Sequence, residues 1–332
     1  MTTALSLLEL PAASREHEQI APKEPVIDEA MIKKFIAYLD VSRGTMINYE
    51  YGLKTFLLWM KLKGLTRPLR CDILRYKKEL KEIYKPSTLA LLLTSVKLFY
   101  RFLATEGCFP YIADHIKTPT VLKGYKKDYL TSDQIKSILA KIDRNTLIGK
   151  RDYALLLLAL TDGLRTIEIS RADVSDMRIN GNSEVLYVQG KGRLEKDEFV
   201  KISPELAEAI REYLTFRDKD NSVEKDEGRP LFESCSDRNV GQRITTRSIR
   251  WIIKGRMKAA GFDSERLTAH SLRHTAITLS LLAGASLQEV QQFARHSSID
   301  TTQIYAHNLD CLDNPCNEQI TAAIFNQNFN RQ

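Results

Sequence analysis

The chain lacks the cysteine patterns that usually indicate a metal site or a disulfide framework. It has five cysteines, an odd number, and no two of them form a Cys-x-x-Cys pair. Neither a zinc ribbon nor a set of paired disulfides is therefore predicted. Isolated thiols of this kind are typical of a reducing cytoplasm, which is the expected location. The five positions are Cys71, Cys108, Cys235, Cys311 and Cys316.

Long apolar runs and an export signal are missing as well. No stretch approaches about 18 consecutive apolar residues, the length expected of a membrane-spanning helix. The apolar residues between Leu5 and Leu10 have no basic region before them, which argues against a secretory signal. No membrane partner is therefore predicted.

What the chain has is an ordinary globular composition with an uneven distribution of charge. Its 332 residues are 43% hydrophobic and 27% charged, and at roughly 100–200 residues per domain this length suggests two domains. The net charge is +7, and residues 31–125 contain 17 basic against 7 acidic residues. A surface that lies along phosphates needs such a concentration of positive charge. A solvated basic face would explain the charge alone equally well.

Breaks in the helical pattern divide the chain into five segments. Helical periodicity over the first domain predicts four helices, with Thr45 as a candidate N-cap of the second. Prolines and lysines then indicate a linker. The predicted segments are a flexible, mostly acidic extension over 1–26, a helical domain over 27–118, a linker over 119–127, a second domain over 128–310 and a tail over 311–332.

The second domain is predicted to be helical with one small sheet. Residues 152–160 form an almost wholly apolar stretch, which predicts a helix in the core. The only clear strand signal lies at 185–202, where two alternating runs flank Gly190-Lys191-Gly192. This pattern predicts a β-hairpin with Lys191 at or near its tip. The expected fold class is mainly α with a small antiparallel β-sheet.

Chemically active residue types concentrate near the C-terminus, where four of the six histidines fall between residues 270 and 307. His270 and Arg273 are three apart and would share a helix face. Taken singly, each candidate has a structural alternative. Arg165 could simply pair with Glu168, three residues later. Tyr305 could be an ordinary buried tyrosine with a satisfied hydroxyl.

Together, these residues form a pattern that resembles the active site of the tyrosine recombinases, the phage-integrase and Xer family. The pattern comprises Gly163-Leu164-Arg165 with Glu168, Lys191 in the hairpin turn, His270-Ser271-Leu272-Arg273-His274-Thr275, His296-Ser297-Ser298 and Thr301-Thr302-Gln303-Ile304-Tyr305. It covers about 128–310, and the helical domain resembles the family's core-binding domain less specifically. The resemblance implies that the catalytic residues are Arg165, Lys191, His270, Arg273, His296 and Tyr305, with Glu168 supporting them.

Phosphodiester transfer accounts for these residue types. Guanidinium forks fit phosphate oxygens and stabilise the charge that develops on them, and histidines can move protons near neutral pH. The resemblance implies that Tyr305 attacks the scissile phosphate to give a 3′-phosphotyrosyl DNA, while Lys191 protonates the leaving 5′ oxygen. No metal, ATP or other cofactor is expected, because the phosphotyrosine bond conserves the energy for religation.

Two surfaces are predicted to contact DNA. One is the polar side of the helical domain, and the other lies between residues 238 and 258, which include seven basic and no acidic residues. A helix there would present basic side chains opposite an apolar side, with a merely solvated face as the alternative. The candidate residues are Thr45, Lys54, Lys97 and Arg101 in the first surface and Arg243, Arg247, Arg250 and Lys254 in the second.

Two residues depart from the family pattern. Asp162 precedes Gly163 where a small residue or threonine is commoner, and Arg295 precedes His296 where a glycine is usual. Neither change removes a chemical group. Activity is still expected.

The resemblance also implies partners. These are a double-stranded DNA recombination site, further copies of the chain in a homo-tetramer on two duplexes, and accessory DNA-bending or directionality proteins. In the tail, Ile320 and Ile324 would either dock on a neighbouring protomer or pack on their own chain.

Integration or excision of a mobile element and Xer-like resolution of DNA multimers both fit the pattern. The alternatives are a type IB topoisomerase, a non-catalytic sequence-specific DNA-binding regulator and a metal-dependent nuclease. A nuclease would use His270, His274 and His296, but the scarcity of nearby carboxylates and the presence of Arg273 oppose it.

Overall fold

The computed structural model describes residues 27, 29–120, 128–190, 192–219, 228–312 and 315–325. It divides into two compact units, Met1–Leu122 and Lys123–Gln332. The extension predicted over 1–26, most of the predicted linker and Lys191 lie outside the described residues.

The described part of the N-terminal unit contains four helices. They are α1 (Glu29–Tyr38), α2 (Arg43–Leu62), α3 (Arg70–Lys81) and α4 (Pro86–Thr105). The N-cap of α2 is Ser42 rather than Thr45, because the Ser42 hydroxyl accepts from the Thr45 N–H and Thr45 already lies inside the helix. An aromatic core that includes Phe35, Phe56 and Phe99 joins the helices.

Helix α4 is long and apolar enough to cross a membrane by length and composition alone. Half of its most apolar stretch is buried inside the unit. Leu92, Val96 and Phe99 are fully buried there. Its apolar character is therefore accounted for by the core that it fills.

The C-terminal unit contains nine described helices and a small sheet. Helix α6 is its core helix, and its N-cap is Thr146, whose hydroxyl accepts from the Gly149 N–H at 3.0 Å. The helices are α5 (Ser132–Ala140), α6 (Leu147–Thr161), α7 (Thr166–Arg171), α8 (Pro204–Arg217), α9 (Thr246–Ala259), α10 (Ala269–Leu282), α11 (Leu287–Ala294), α12 (Ile299–Leu312) and α13 (Cys316–Phe325).

The sheet is antiparallel, with strand order β1 (Met177–Asn180), β2 (Ser183–Val188) and β3 (Glu198–Lys201). Strands β2 and β3 match the hairpin predicted at 185–202. Strand β1 was not predicted, because it has only four residues and three of them are exposed. Its sequence therefore lacks the alternation of apolar and polar residues that indicates a half-buried strand. It is held in place by pairing, with Arg178 opposite Val185.

Candidate active site

Arg165 is positioned by the turn that follows the core helix. Helix α6 ends at Thr161, and Gly163 then adopts a left-handed conformation with φ 57°. A Cβ at Gly163 would lie 3.2 Å from the Phe293 ring, so both the backbone angle and the close approach favour glycine. Arg165 is the residue before α7, and its side chain remains 29% exposed.

Glu168 lies at the centre of the site and is fully buried. Its Oε1 accepts from Arg165 Nη1 at 2.8 Å, and its Oε2 accepts from the Arg165 N–H at 2.8 Å and from Arg295 Nη2 at 2.9 Å. Burial alone would raise the pKa of Glu168, but Arg295 and Arg165 outweigh burial and lower it. Glu168 is therefore a carboxylate that orients two guanidiniums.

Arg273 is an arginine fixed on main-chain carbonyls. It extends from α10, is only 2% exposed and donates to the carbonyl oxygens of Gly163 and Ala294. Burial and the nearby charge of Arg165 lower the pKa of Arg273 to about 9, so that it still carries its charge near neutral pH. The two carbonyls link the α6–α7 turn to the end of α11.

His296 follows Arg295 at the start of the loop before α12. Its Nδ1 is hydrogen-bonded to the hydroxyl of the buried Thr302 at 2.9 Å. Burial, followed by the charges of Arg273, Arg165 and Arg295, lowers the pKa of His296 to about 4. The ring is therefore neutral near pH 7 in the protein without DNA.

Tyr305 extends from α12 and is 6% exposed. Its hydroxyl is hydrogen-bonded to Nδ1 of His274 at 2.5 Å, and its ring stacks near that of His296 with a centroid distance of 6.2 Å. His270 is exposed, and its ring lies 4.4 Å from the ring of His274. The four aromatic rings thus form a continuous row.

Most of the catalytic residues predicted from the sequence are therefore close together. Arg165, Glu168, Arg273, His296 and Tyr305 share contacts or charges around one corner of the unit. His274 was not among the predicted catalytic residues, yet it holds the Tyr305 hydroxyl. Its position four residues after His270 was the available signal, since both lie on one face of α10.

A cavity of about 890 Å³ opens beside this corner. Arg165, Arg295 and His296 line it, together with Gly190 and Arg193 from the turn between β2 and β3. Lys191, which stands between Gly190 and Gly192 in the sequence, lies outside the described residues. Among the described residues, no group of three or more histidine, cysteine or acidic side chains could hold a metal ion.

The DNA-contact candidates in the N-terminal unit mostly have local partners. Lys54 pairs with Glu50 at 2.6 Å, and Lys97 donates to the Ile116 carbonyl at 3.0 Å. The guanidinium of Arg101 lies 5.7 Å from the centre of the Tyr111 ring. The Thr45 hydroxyl is hydrogen-bonded to the Ser42 hydroxyl at 3.0 Å.

The candidates in the C-terminal unit differ among themselves. Arg243 donates to the Ser170 and Ala172 carbonyls and to Asp173. It therefore links the segment before α9 to the end of α7 and the residues that follow α7. Lys254 donates to the Ser264 carbonyl at 2.7 Å and pairs with Asp263. In contrast, Arg247 and Arg250 are exposed, and neither has an ion pair or side-chain hydrogen bond to the described part of the chain.

Comparison with known protein families gives two matches. The model of the phage integrase family matches residues 128–311, and that of the SAM-like N-terminal domain of phage integrases matches residues 32–107. The tyrosine recombinase XerD of Lacticaseibacillus casei is 30% identical over 294 residues, which cover 83% of this chain and 93% of the relative.

Solved structures share the fold at lower sequence identity. The XerH site-specific recombinase bound to a palindromic difH substrate, in a post-cleavage complex, is 19% identical with a TM-score of 0.66, over 83% of this chain and 79% of that one. A lambda integrase tetramer bound to a Holliday junction is 17% identical with a TM-score of 0.62, over 86% and 83% of the two chains.

Proposed function

This chain belongs to the phage integrase family of tyrosine recombinases, and we propose that Tyr305 is the nucleophile with which it cleaves and rejoins DNA at a specific site. The observation that carries this proposal is the hydrogen bond of 2.5 Å between the Tyr305 hydroxyl and His274. It places a buried phenol against an imidazole nitrogen that accepts the phenol proton when His274 is the Nε2–H tautomer, beside guanidiniums that suit a phosphate. A purely structural tyrosine would not need this combination.

The proposed cleavage step is a transfer of one phosphoryl group. The phenol oxygen of Tyr305 forms a bond to the scissile phosphorus while the bond from phosphorus to the 5′ oxygen breaks. The phenol proton passes to His274, and Lys191 gives a proton to the leaving oxygen. Arg165 and Arg273 stabilise the charge on the non-bridging oxygens, with His270 and the neutral His296 as further hydrogen-bonding groups.

Religation is the same step in reverse, with a 5′ hydroxyl attacking the 3′-phosphotyrosyl bond. Because one phosphate ester replaces another, the reaction needs no external energy source. A strand from a second duplex can supply the hydroxyl, which turns cleavage into recombination. We propose this exchange, rather than the simple relaxation performed by a topoisomerase, as the function of the chain.

The proposed partners are a double-stranded recombination site and further copies of this chain. A lambda integrase tetramer bound to a Holliday junction shares the fold.

In this chain, helix α13 exposes Ile320, Ile324 and Phe325 by more than half of their surfaces. We propose that α13 docks on a neighbouring protomer. Deleting 315–332 should then weaken assembly on DNA while the protein remains folded, and unchanged assembly would contradict docking.

The test of the proposed function is capture of the covalent intermediate. The wild type is incubated in EDTA with a pool of nicked duplexes of random core sequence, and protein-linked DNA is isolated and sequenced. We expect an adduct that Tyr305→Phe abolishes and that Tyr153→Phe, a half-buried tyrosine elsewhere, retains. No adduct from the wild type would contradict the proposal and favour a DNA-binding regulator.

Strand exchange between two selected sites then distinguishes recombination from relaxation, and the selected sequences indicate integration or multimer resolution.

A further inference from the structure

Arg295 adopts a backbone conformation that its side chain does not favour. It ends helix α11 with φ 51° and ψ 49°, in the left-handed region. Among the described residues, the only other non-glycine residue with a positive φ is His115. A residue with a Cβ is disfavoured in this region, and glycine is the usual residue at the end of a helix. Some other interaction must therefore offset the free-energy cost of this backbone conformation.

The side chain of Arg295 supplies that interaction. It is only 7% exposed, Nη2 donates to Glu168 Oε2 at 2.9 Å, and Nη1 donates to the Phe293 carbonyl at 3.0 Å. Its Nε–H is buried without a hydrogen-bond partner. The backbone angle and the unpaired buried N–H both cost free energy, and the contact of this guanidinium with Glu168 offsets that cost.

We propose that Arg295 is a positioning residue, which occupies one oxygen of Glu168 and so keeps the Arg165 guanidinium available to the scissile phosphate. This inference rests on the proposed function. Glu168 Oε2 is taken by Arg295 and by the Arg165 N–H, so only Oε1 is left for the Arg165 side chain. Arg165 therefore pairs through Nη1 alone.

The second nitrogen of Arg165 is consequently only weakly held. Arg165 Nη2 lies 3.5 Å from the Arg295 carbonyl, at the limit of a hydrogen bond, and Arg165 lines the 890 Å³ cavity. A guanidinium and a carboxylate left alone prefer to pair through two parallel hydrogen bonds. Without Arg295, we expect Arg165 to turn onto both oxygens of Glu168, which withdraws Nη2 from a phosphate in the cavity.

Charge supports the same arrangement. The charged groups that act on Glu168 and Arg295 are Arg165, Arg273 and Asp162. The charge of Arg295 is the largest single influence that lowers the pKa of Glu168, and it also acts on the buried Asp162. Arg295 therefore balances the charge of Glu168, which would otherwise compete with the phosphate for Arg165.

The test replaces Arg295 with the residue that its backbone favours. Arg295→Gly removes the guanidinium and relieves the left-handed angle, so the variant should fold, which a thermal melt verifies. On the nicked duplexes selected with the wild type, the rate of adduct formation at saturating DNA should fall roughly 10- to 100-fold, with little change in DNA affinity. Arg295→Lys should have an intermediate rate. His115→Gly makes the same backbone change in the other unit and should react like the wild type.

A crystal structure of Arg295→Gly gives a result that does not depend on activity. We expect both terminal nitrogens of Arg165 on the two Glu168 oxygens. If Arg165 keeps its single contact, or if the variant cleaves as fast as the wild type, the positioning role is overturned. If the wild type forms no adduct but Arg165 turns in the variant, the proposed function fails while the positioning of Arg165 by Arg295 stands.

Discussion

The C-terminal unit holds two groups of basic residues in different ways. At the candidate active site, Arg273 and Arg295 are buried and bound to main-chain carbonyls, and Arg165 and Arg295 share Glu168. On helix α9, Arg250 extends into solvent without an ion pair to any described residue. The first group is immobilised before DNA arrives, and the second is not.

This difference separates two tasks that net charge alone does not distinguish. Donors fixed in a poorly hydrated site stabilise developing charge without further ordering, so they should act on the cleavage rate. Exposed side chains lose conformational freedom when they bind phosphate, and salt screens them. They should act on DNA affinity.

The largest expected effect comes from Arg273→Lys. Lysine keeps the charge but loses the fork that reaches both the Gly163 and Ala294 carbonyls. The rate of adduct formation at saturating DNA should fall about 10³-fold. Stability should fall by about 1–3 kcal/mol, because a buried carbonyl loses its donor. Single-turnover kinetics and urea unfolding measure the two effects.

The matched control for Arg273 is Arg256→Lys. Arg256 pairs with the buried Asp152 at 2.6 Å, remote in the sequence from the catalytic motifs. This variant should lose some stability while its cleavage rate at saturating DNA stays near that of the wild type. Equal losses of rate in the two variants would mean that any arginine of this unit with a partner inside the protein affects catalysis.

His274→Ala should have the next largest effect. It removes the acceptor of the Tyr305 proton, and loss of a general base typically costs about 10²-fold or more in rate. A phenol ionises by itself as the pH approaches about 10. The rate of the variant should therefore rise with pH over a range where the wild type is level. A constant ratio between the two rates at all pH values would assign His274 to positioning alone.

Much of this site could be predicted from residue types and spacing. Arg165 and Glu168 are three residues apart across the start of α7, so the carboxylate reaches both the N–H and the guanidinium of Arg165. The N-capped starts of the helices and the hairpin that contains Lys191 follow from equally local signals. Tyr305 could be recognised only by its companions in the motif, because a lone tyrosine carries no such signal.

The remainder depends on packing between distant segments. The contact between Tyr305 and His274 requires the register of α12 against α10, which no local pattern contains. The partner of Lys254, Asp263, lies beyond the end of α9 and outside the acid-free stretch. Arg295 could be noticed from the sequence as unusual, but its left-handed backbone and its contact with Glu168 could not.

A smaller effect is expected from the pH dependence of folding. Burial and the arginine cluster lower the pKa of His296 to about 4, whereas an unfolded histidine has a pKa of about 6.5. Between these values the unfolded chain binds more protons, so the folded state loses stability as the pH falls. This sign follows from burial of the ring and, after it, from the fixed charges of the arginines.

His296→Asn tests this dependence, since asparagine can still bond Thr302 but cannot titrate. Its free energy of unfolding should fall less than that of the wild type between pH 6.5 and 4.5, by about 1 kcal/mol for a partly buried ring. Asp162, whose pKa burial raises to about 6, is present in both proteins and cancels in the difference. Parallel curves would indicate that neither burial nor the arginines lower the pKa of His296.

The smallest effect belongs to helix α9, where two basic residues four apart make a matched pair. Arg250 is exposed without a partner among the described residues, whereas Lys254 is held by the Ser264 carbonyl at 2.7 Å and by Asp263 at 3.2 Å. Each phosphate contact contributes about 0.9 to the slope of log affinity against log salt. Arg250→Met should lower that slope by about this amount and leave the cleavage rate at saturating DNA unchanged. Lys254→Met should change neither, because its charge is already paired. If the two variants lose the same slope, Lys254 leaves Asp263 when DNA binds, and partners within the protein do not decide which cations contact phosphate.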